Sequence, residues 1–293
     1  MQIEIDSDSG FCYGVTKTIQ LAEAALKGGE TVYCLGEIVH NEEEVERLKS
    51  LGLEVIEKED LEKIKGSKVL IRAHGEPDST YQKIEKGANK LHDGTCPIVL
   101  QLQKKVRNAW QIMKKVDGQV IIYGKKGHAE VVGLAGQTNN EALIVSHKED
   151  LANIDFSKPV SIFAQTTQPM EGYNEIVEEI KLRMSAFFKA NEVPLNVTDS
   201  ICRHVSKRGE RLAVFSKKHD AIIFVSGTNS SNGKVLFEIC KKANPCSYWV
   251  PSASEVKKEW FENVGSVGIC GATSTPQWLM EKVSQKINEI VNN

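Results

Sequence analysis

Three cysteines stand where the chain leaves a turn and enters a stretch with helical spacing. Cys96 lies in "HDGTCPI", and the next residue, Pro97, fits the first position of a helix because that position does not need its N–H. Cys12 in "GFCYGV" and Cys202 in "DSICRHV" precede similar stretches. The free N–H groups and positive dipole end of a helix stabilise a thiolate, the form that binds metals. We therefore predict three metal ligands, although each cysteine alone is equally compatible with a small packed side chain.

The other four of the seven cysteines lie in different settings. Cys34 falls within a predicted strand, Cys240 within a helix, Cys246 in a turn before a strand and Cys270 near a strand end, and we predict that they pack. No C-x-x-C spacing occurs, which excludes a zinc ribbon or a ferredoxin-type motif. Three thiolates are one fewer than the usual four of a [4Fe–4S] cluster. One iron would then stay open to a substrate oxygen and act as a Lewis acid.

Three histidines occupy turns that follow predicted strands: His40 in "GEIVHN", His74 in "RAHGEP" and His128 in "GKKGHAEVVG". A single histidine in such a turn is more often simply solvated. Glu130 follows His128 by two residues and falls in the first turn of a predicted helix. Its carboxyl either complements the helix dipole or relays protons together with a histidine, as general acid and base.

Hydroxyl and amide side chains begin two further helices. In "VSGTNSSNGKVLFEI" a hydrophobic strand ends and Ser230, Ser231 and Asn232 follow, and in "GATSTPQW" Ser274 precedes a proline. Each group alone fits ordinary N-capping, but the two together, with histidines that can pair with anions, predict a diphosphate site. Thr166, in "FAQTTQ" after another strand, would add a hydroxyl. Neither the G-x-x-x-x-G-K-[ST] nor the G-x-G-x-x-G pattern occurs, which argues against ATP or a dinucleotide.

Short β-branched strands alternate with amphipathic stretches along the whole chain. This alternation predicts an α/β protein built from βαβ units with parallel sheets, whose functional loops follow the carboxyl ends of the strands. The three cysteine-bearing turns are 84 and 106 residues apart, about one small domain each. We predict three small α/β domains, at residues 1–96, 97–194 and 195–293, around a shared site. The predicted strands are 31–36, 68–73, 119–124, 142–146, 160–165, 221–227 and 266–271, with a further short strand at the N-terminus.

The composition is that of an ordinary globular protein. The 293 residues carry a formal net charge of −2, so no general basic field indicates nucleic acid or an anionic membrane as a partner. No apolar run approaches the roughly 20 residues of a membrane-spanning helix. The acidic N-terminus "MQIEIDSDSG" does not look like a signal peptide, and we expect a cytoplasmic protein.

Nine of these stretches together resemble the 4-hydroxy-3-methylbut-2-enyl diphosphate reductase family. They occur in family order and at about family spacing, and the resemblance spans nearly the whole chain. Any one of them is a weak signal, whereas nine in one order are not expected by chance. The stretches are "GFCYGV", "GEIVHN", "RAHGEP", "GTCPIV", "GHAEVVG", "AQTT", "DSIC", "SSN" and "STP".

The resemblance implies three α/β domains in a pseudo-threefold trefoil around a central iron–sulfur cluster. It implies reductive removal of the allylic hydroxyl of 4-hydroxy-3-methylbut-2-enyl diphosphate, with two electrons and two protons, to isopentenyl and dimethylallyl diphosphate in the methylerythritol phosphate route. It also implies an electron donor such as flavodoxin or ferredoxin. The implied cluster ligands are Cys12, Cys96 and Cys202; the implied diphosphate-binding residues are His40, His74, His128, Ser230, Ser231, Asn232 and Ser274; and Glu130 with Thr166 would deliver protons.

Two positions depart from the family pattern. The family often has a threonine three residues after the third cysteine, where this chain has Val205. A glutamine commonly follows the arginine that is Arg208 here, and this chain has Gly209 in its place. A lost hydroxyl near the substrate would alter the proton network or the product ratio. Activity is expected to survive, because Glu130, Thr166 and the three cysteines remain.

Three other functions compete with the reductase. A non-catalytic iron–sulfur sensor that detects redox state or binds a diphosphate would need the cysteines but neither Glu130 nor Thr166. A zinc hydrolase would use the histidines with Glu130, but no H-E-x-x-H helix or similarly compact ligand set occurs. A plain phosphate-binding domain would tolerate serine at all three cysteine positions.

Overall fold

The computed structural model describes residues 1–189 and 192–292, without the side chain of Val205. In this part of the chain, twelve strands alternate with nine α-helices, as the α/β prediction requires. The strands are β1 (Gln2–Ile5), β2 (Val32–Leu35), β3 (Leu53–Ile56), β4 (Lys68–Ile71), β5 (Lys90–Asp93), β6 (Gln119–Tyr123), β7 (Leu143–Val145), β8 (Val160–Ala164), β9 (Leu195–Val197), β10 (Ala221–Val225), β11 (Ser247–Val250) and β12 (Ser266–Gly271). The helices are α1 (Tyr13–Leu26), α2 (Glu42–Ser50), α3 (Asp78–Lys86), α4 (Pro97–Lys115), α5 (Ala129–Gly136), α6 (Met170–Met184), α7 (Arg203–Ser216), α8 (Ser231–Ala243) and α9 (Gln277–Asn292).

The chain forms two compact units. The first comprises Met1–Ile56 and Arg203–Asn293, and the second comprises Glu57–Cys202. The division into three domains at 1–96, 97–194 and 195–293 stays a prediction. No helix in the described ranges has both the length and the apolar character needed to cross a bilayer.

The first unit is built on a parallel sheet of order β1-β12-β10-β11, together with the parallel pair β2–β3. Strand β10 shows why its sequence reads as a continuous apolar run. Ile223 and Val225 pack on one face of the sheet with residues of α9, and Ile222 and Phe224 pack on the other face with residues of α7 and α8. Both faces of a parallel strand are buried, so alternation of polar and apolar residues disappears.

The second unit repeats this architecture. Its parallel sheet has the order β7-β6-β8-β9, and β4 and β5 form a parallel pair. Ile121 of β6 and Ile162 of β8 face a core that contains residues of α6, whereas Ile122 and Phe163 face residues of α4 and α5. The α/β class with parallel sheets, inferred from the pattern, is therefore confirmed.

Parallel pairing fixes where the predicted site residues lie. Cys12, His40, His74, Cys96, His128, Thr166, Cys202, Ser230 and Ser274 each follow a strand in the chain. The neighbours β1, β12 and β10 therefore bring three of these loops to one edge of the first unit, and β6, β8 and β9 do the same in the second.

Candidate active site

The three predicted ligand cysteines all stand at helix starts. Cys12 is the N-cap of α1, Cys96 is the N-cap of α4 with Pro97 directly after it, and Cys202 immediately precedes α7. None of the three forms a disulfide within the described residues, and all three are partly exposed to solvent. Helix N-termini favour the thiolate, and partial exposure leaves each sulfur accessible to a metal.

Each of these cysteines is fixed through its own backbone N–H. Cys12 donates to the Thr273 carbonyl at 3.3 Å, Cys96 to the Ala73 carbonyl at 3.0 Å and Cys202 to the Thr166 carbonyl at 2.9 Å. The accepting residues lie in loops that follow other strands. The thiols are thus held by tertiary contacts, in addition to the helices that they begin.

Three of the other four cysteines are buried as predicted, and one is not. Cys34, Cys240 and Cys270 are buried, as predicted, and the sulfurs of Cys240 and Cys270 lie 3.9 Å apart. The prediction is wrong for Cys246, which is exposed. Its backbone N–H donates to the Asn244 side chain at 2.9 Å, so a side-chain-stabilised turn places it at the surface before β11.

Glu130 and Thr166 form a buried pair in the second unit. The Glu130 carboxyl is only 2% exposed and accepts the Thr166 backbone N–H at 2.7 Å and the Thr166 hydroxyl at 2.8 Å. The two residues start from the neighbouring strands β6 and β8, which carry them to the same edge. Both carboxyl oxygens therefore have donors, and the orientation of the side chain is fixed.

The surroundings of Glu130 change its acidity. Burial raises the pKa of this carboxyl from 4.5 to about 7, and the two hydrogen bonds from Thr166 partly oppose that rise. Burial disfavours the charged form, whereas donors to the carboxylate favour it. A carboxyl with a pKa near neutrality can both hold and release a proton at physiological pH, as a general acid requires.

Two histidines lie beside this pair in the second unit. His128 is the N-cap of α5, and its Nδ1 accepts the Glu130 backbone N–H at 3.2 Å. His74 follows β4, and its ring contacts the His128 ring edge-to-face with centroids 5.2 Å apart. The sequence-predicted association of His128, Glu130 and Thr166 therefore has a direct structural basis.

Thr166 also connects the acid–base pair to a cysteine. Its hydroxyl and N–H bind Glu130, while its carbonyl accepts the Cys202 N–H. A displacement of the loop after β8 would therefore move the carboxyl and the cysteine together. Similarly, the Cys96 N–H donates a hydrogen bond to the carbonyl of Ala73, the residue directly before His74.

The first unit contains five of the seven predicted diphosphate-binding residues, whereas His74 and His128 belong to the second unit. Ser230 is the N-cap of α8, where its hydroxyl accepts the Gly233 N–H at 3.0 Å, and it lies 3.3 Å from the Ser274 hydroxyl. The Ser274 hydroxyl donates to the His40 carbonyl at 3.4 Å. Loops that follow β2, β10 and β12 thus meet at one place.

Asn232 extends this group towards a cysteine. Its Nδ2 donates to the Thr273 hydroxyl at 2.7 Å, and the Thr273 carbonyl accepts the Cys12 N–H. Within the described residues, Asn232 Oδ1 is buried without a hydrogen-bond partner. Ser231, the first residue of α8, is half-buried. A buried polar atom without a partner is costly in an otherwise complete structure and indicates a place for a ligand.

A glycine makes the approach of these loops possible. A Cβ added to Gly227 would lie 2.5 Å from the His40 carbonyl oxygen and 2.8 Å from the Asn41 Cα. These neighbours are backbone atoms, which cannot yield as the end of a flexible side chain can. Gly227 is therefore required where the loop after β10 crosses the turn after β2.

Sequence reasoning missed Thr273, Arg208 and Gln165. Thr273 joins Asn232 to Cys12, although its position in "GATSTP" resembles ordinary capping. Arg208 is buried and donates to the carbonyls of Gly10 at 3.1 Å and Gly271 at 2.8 Å. Gln165 accepts the Lys125 N–H at 3.0 Å. Hydrogen bonds to backbone groups leave no pattern in the sequence. The only sequence signals near these residues were the motifs "AQTT", which contains Gln165, and "STP", which directly follows Thr273.

The two departures from the family pattern have different outcomes. The side chain of Val205 lies outside the described residues. Gly209 is buried within α7, and a Cβ there would meet the Ile239 Cδ1 at 2.7 Å. The absence of a side chain at this position lets α7 pack closely on α8.

Comparison with known proteins places these features in a family. The family model described as LytB protein matches residues 3–288. A 4-hydroxy-3-methylbut-2-enyl diphosphate reductase from Parabacteroides distasonis is 47% identical over 290 residues, which cover 99% of this chain and 98% of the relative. The reductase of the same name from Bacteroides thetaiotaomicron is 45% identical over 293 residues and covers both chains completely.

Two solved structures match this chain over nearly its whole length. The structure of (E)-4-hydroxy-3-methyl-but-2-enyl diphosphate reductase, described as the terminal enzyme of the non-mevalonate pathway, has a TM-score of 0.73 and 34% identity and covers 99% of this chain and 100% of that one. The structure of the E-1-hydroxy-2-methyl-but-2-enyl-4-diphosphate reductase from Plasmodium falciparum has a TM-score of 0.81 and 26% identity and covers 97% of this chain and 87% of that one. The match of the family model and the full-length relatives lead to one conclusion: this chain belongs to the LytB family.

Proposed function

We propose that this chain reduces 4-hydroxy-3-methylbut-2-enyl diphosphate to isopentenyl and dimethylallyl diphosphate. The observation that carries the proposal is the buried Glu130–Thr166 pair, bonded through the Thr166 carbonyl to the cysteine-bearing loop at Cys202. A redox sensor that only held a cluster or a diphosphate would have no use for a carboxyl with a pKa near 7 at that place. Full-length relatives named for this reaction support the reductase over the sensor.

The family consists of iron–sulfur enzymes, and this chain has residues that fit such a cofactor. Cys12, Cys96 and Cys202 are partly exposed thiols at helix starts, in contrast to the buried Cys34, Cys240 and Cys270. We assign the first three as ligands of a [4Fe–4S] cluster with one iron that has no cysteine ligand. When bound, the cluster would supply electrons and a Lewis acid for the substrate oxygen, chemistry that no side chain provides.

The loops after β2, β10 and β12 are assigned to the diphosphate. Ser230, Ser231, Asn232 and Ser274 offer hydroxyl and amide donors at the start of α8 and beside it, where the helix dipole favours negative charge. Rotation of the Asn232 amide by a half-turn would let the Thr273 hydroxyl donate to Oδ1 and turn the amide donors towards the anion. His40, His74 and His128 are assigned to the same diphosphate. Anchoring the charged end holds the reacting carbon in place.

Glu130 is assigned as the proton donor. The allylic C–O bond breaks with two electrons entering the substrate; one proton leaves with the oxygen as water, and the other is added to carbon. Glu130 would protonate the departing oxygen and be reprotonated from solvent for the next turnover. Thr166 would hold the carboxyl in position through its two hydrogen bonds. Flavodoxin or ferredoxin as electron donor and a cytoplasmic location stay predictions.

The raised pKa of Glu130 gives the reaction a pH dependence. Because the pKa of Glu130 is about 7, this carboxyl keeps its proton below that pH and loses it above. We expect kcat to be insensitive to this group in acid and to fall about tenfold per pH unit above about pH 7. Thr166→Val removes one donor that favours the carboxylate, so the decline should move to higher pH.

The profile is measured as steady-state kcat between pH 6 and 9 with reduced methyl viologen as electron source. Thr167→Val is the matched control, since the Thr167 hydroxyl accepts from Gln165 at 2.9 Å. A decline at the same pH in wild type and Thr166→Val would argue against Glu130 as its origin.

Asn232→Asp tests the anion-binding assignment. The change keeps the size of the side chain but adds a negative charge beside the expected diphosphate, where like charges cost several kcal/mol. We expect KM to rise at least about tenfold with a smaller change in kcat and an unchanged iron content. Asn229→Asp, in the exposed part of the same loop, is the control. Equal KM values for the Asn232 variant and wild type would remove Asn232 from the diphosphate site.

The experiment that tests the function is anaerobic turnover. The cluster is reconstituted with iron and sulfide, reduced methyl viologen is added, and dye oxidation is followed after addition of the allylic hydroxy-diphosphate. We expect oxidation that requires both protein and substrate. A complete cluster without substrate-dependent oxidation would favour the sensor, and zinc without sulfide in the active protein would favour a hydrolase.

A further inference from the structure

A basic cavity lies beside Cys12 in the first unit. Its volume is about 430 Å³, and Cys12 forms part of its wall together with the N-terminal half of α7. The charged residues that line it are Asp8, Arg203, Lys207, Arg208 and Arg211, with His204 between them. Four permanent cations thus face one carboxylate, in a chain whose formal net charge is −2.

Three of these cations form a stripe on the surface of α7. Arg203, Lys207 and Arg211 are exposed and spaced four residues apart, so they lie on one face of the helix. Arg211 pairs with Asp8 at 3.2 Å, whereas no ion pair involves Arg203 or Lys207 in the described part of the chain. Glu210 is the one acidic side chain among residues 203–216. We call Arg203, Lys207 and Arg211 the α7 basic face.

Exposed apolar groups accompany this charge. Tyr13 directly follows Cys12, lines the same cavity and is 69% exposed; Val214, one turn beyond Arg211, is 59% exposed. Tyrosine and arginine are enriched in protein interfaces, where a large ring and a planar cation are buried together. An excess of cations over carboxylates around an exposed aromatic ring is typical of a surface that meets an acidic protein.

The proposed reaction provides the reason for such a surface. It consumes two electrons per product, and the only redox centre assigned to this chain is the cluster for which Cys12 is a proposed ligand. Electrons must therefore enter from outside, and a carrier that docks beside Cys12 reaches a ligand of that cluster. Complementary charge around such an entry point accelerates encounter and selects the partner.

We propose that the α7 basic face, with Tyr13, is the docking surface for a small electron-carrier protein with an acidic face around its redox centre; this inference rests on the proposed function. With a flavin carrier, the electrons and protons of the reaction balance as follows. Two carrier hydroquinones each give one electron and become semiquinones, and the substrate takes up both electrons and two protons as its C–O bond breaks to release water. A nucleic acid is less suited to this surface, because the three cations of the α7 basic face are few for a polyphosphate.

The test compares two double charge reversals. Lys207→Glu/Arg211→Glu changes the docking surface, and Lys217→Glu/Lys218→Glu makes the same charge change just beyond the C-terminal end of α7. Each holoprotein is assayed with reduced flavodoxin and, separately, with reduced methyl viologen. Flavodoxin binding is measured by flavin fluorescence at low and high salt, which gives a readout independent of turnover.

For Lys207→Glu/Arg211→Glu we expect at least about a tenfold loss of kcat/KM with flavodoxin at low salt, weaker binding and a shallower salt dependence. Turnover with viologen should stay within about threefold of wild type, and the control pair should retain flavodoxin activity. Unchanged flavodoxin binding and turnover would overturn the docking surface alone. Absence of wild-type turnover with viologen would overturn the proposed function and this inference together.

Discussion

Glu130→Gln is expected to lower kcat by about 10²- to 10⁴-fold, the usual contribution of a positioned general acid. The amide has the size of the carboxyl but carries no acidic proton. Its Oε1 can still accept the Thr166 N–H, and the Thr166 hydroxyl can turn to accept from Nε2. The pocket should therefore remain folded, and iron content, sulfide content and substrate affinity should stay near wild-type values. Anaerobic steady-state turnover on matched preparations measures the effect.

Glu44→Gln is the matched control for this change. Glu44 is also buried, at 1% exposure, but it pairs with Arg47 at 2.6 Å and has no assigned role in catalysis. Its replacement should lower stability and leave kcat per cluster unchanged. Near-normal kcat in Glu130→Gln, with an intact cluster, would show that the proton comes from elsewhere.

Serine at any of the three ligand positions is expected to abolish both the cluster and turnover. Cys12→Ser, Cys96→Ser and Cys202→Ser each remove one thiolate, and the bound iron should fall from about four atoms per chain towards background. Serine is itself a favourable N-cap, so α1 and α4 should begin as they do now. Loss of iron without loss of helical signal by circular dichroism would therefore separate ligation from folding.

Cys246→Ser provides the comparison. This thiol is exposed, and its position is set by the Asn244 side chain through the backbone. Its replacement should leave iron, sulfide and turnover unchanged. Retention of a full cluster and normal turnover in Cys96→Ser would contradict the ligand assignment for α4.

The sequence alone predicts the strongly apolar strands and the helix starts at which several candidate site residues lie. All seven strands inferred from buried runs are present, because runs such as "AIIFV" in β10 are covered on both faces. Strand β11 was predicted only as a strand of unstated length after Cys246, and strands β3, β5 and β9 were not predicted. Strands β3, β5 and β9 have only three or four residues, and "LEVI", "KLHD" and "LNV" are too short and too mixed in polarity for a pattern to stand out.

The contacts of the site that the sequence did not predict escaped for a similar reason: local patterns do not reveal them. Cys96 before Pro97 and Glu130 in a first helical turn could be read from local chemistry, since each belongs to a helix start. The bond from the Cys202 N–H to the Thr166 carbonyl joins residues that are 36 positions apart, through groups that every residue carries. The role of Thr273 between Asn232 and Cys12 depends on the order of strands in the sheet, which local spacing does not give.

The most direct measurement is the balance of electrons and products in one anaerobic reaction. Reduced viologen consumed is counted by absorbance, and substrate and products are quantified by phosphorus NMR. We predict two electrons for each substrate molecule lost, with isopentenyl and dimethylallyl diphosphate together accounting for all of it. Dye oxidation without these products, or an intact cluster that oxidises no dye in the presence of substrate, would contradict the assignment of this chain as a reductase.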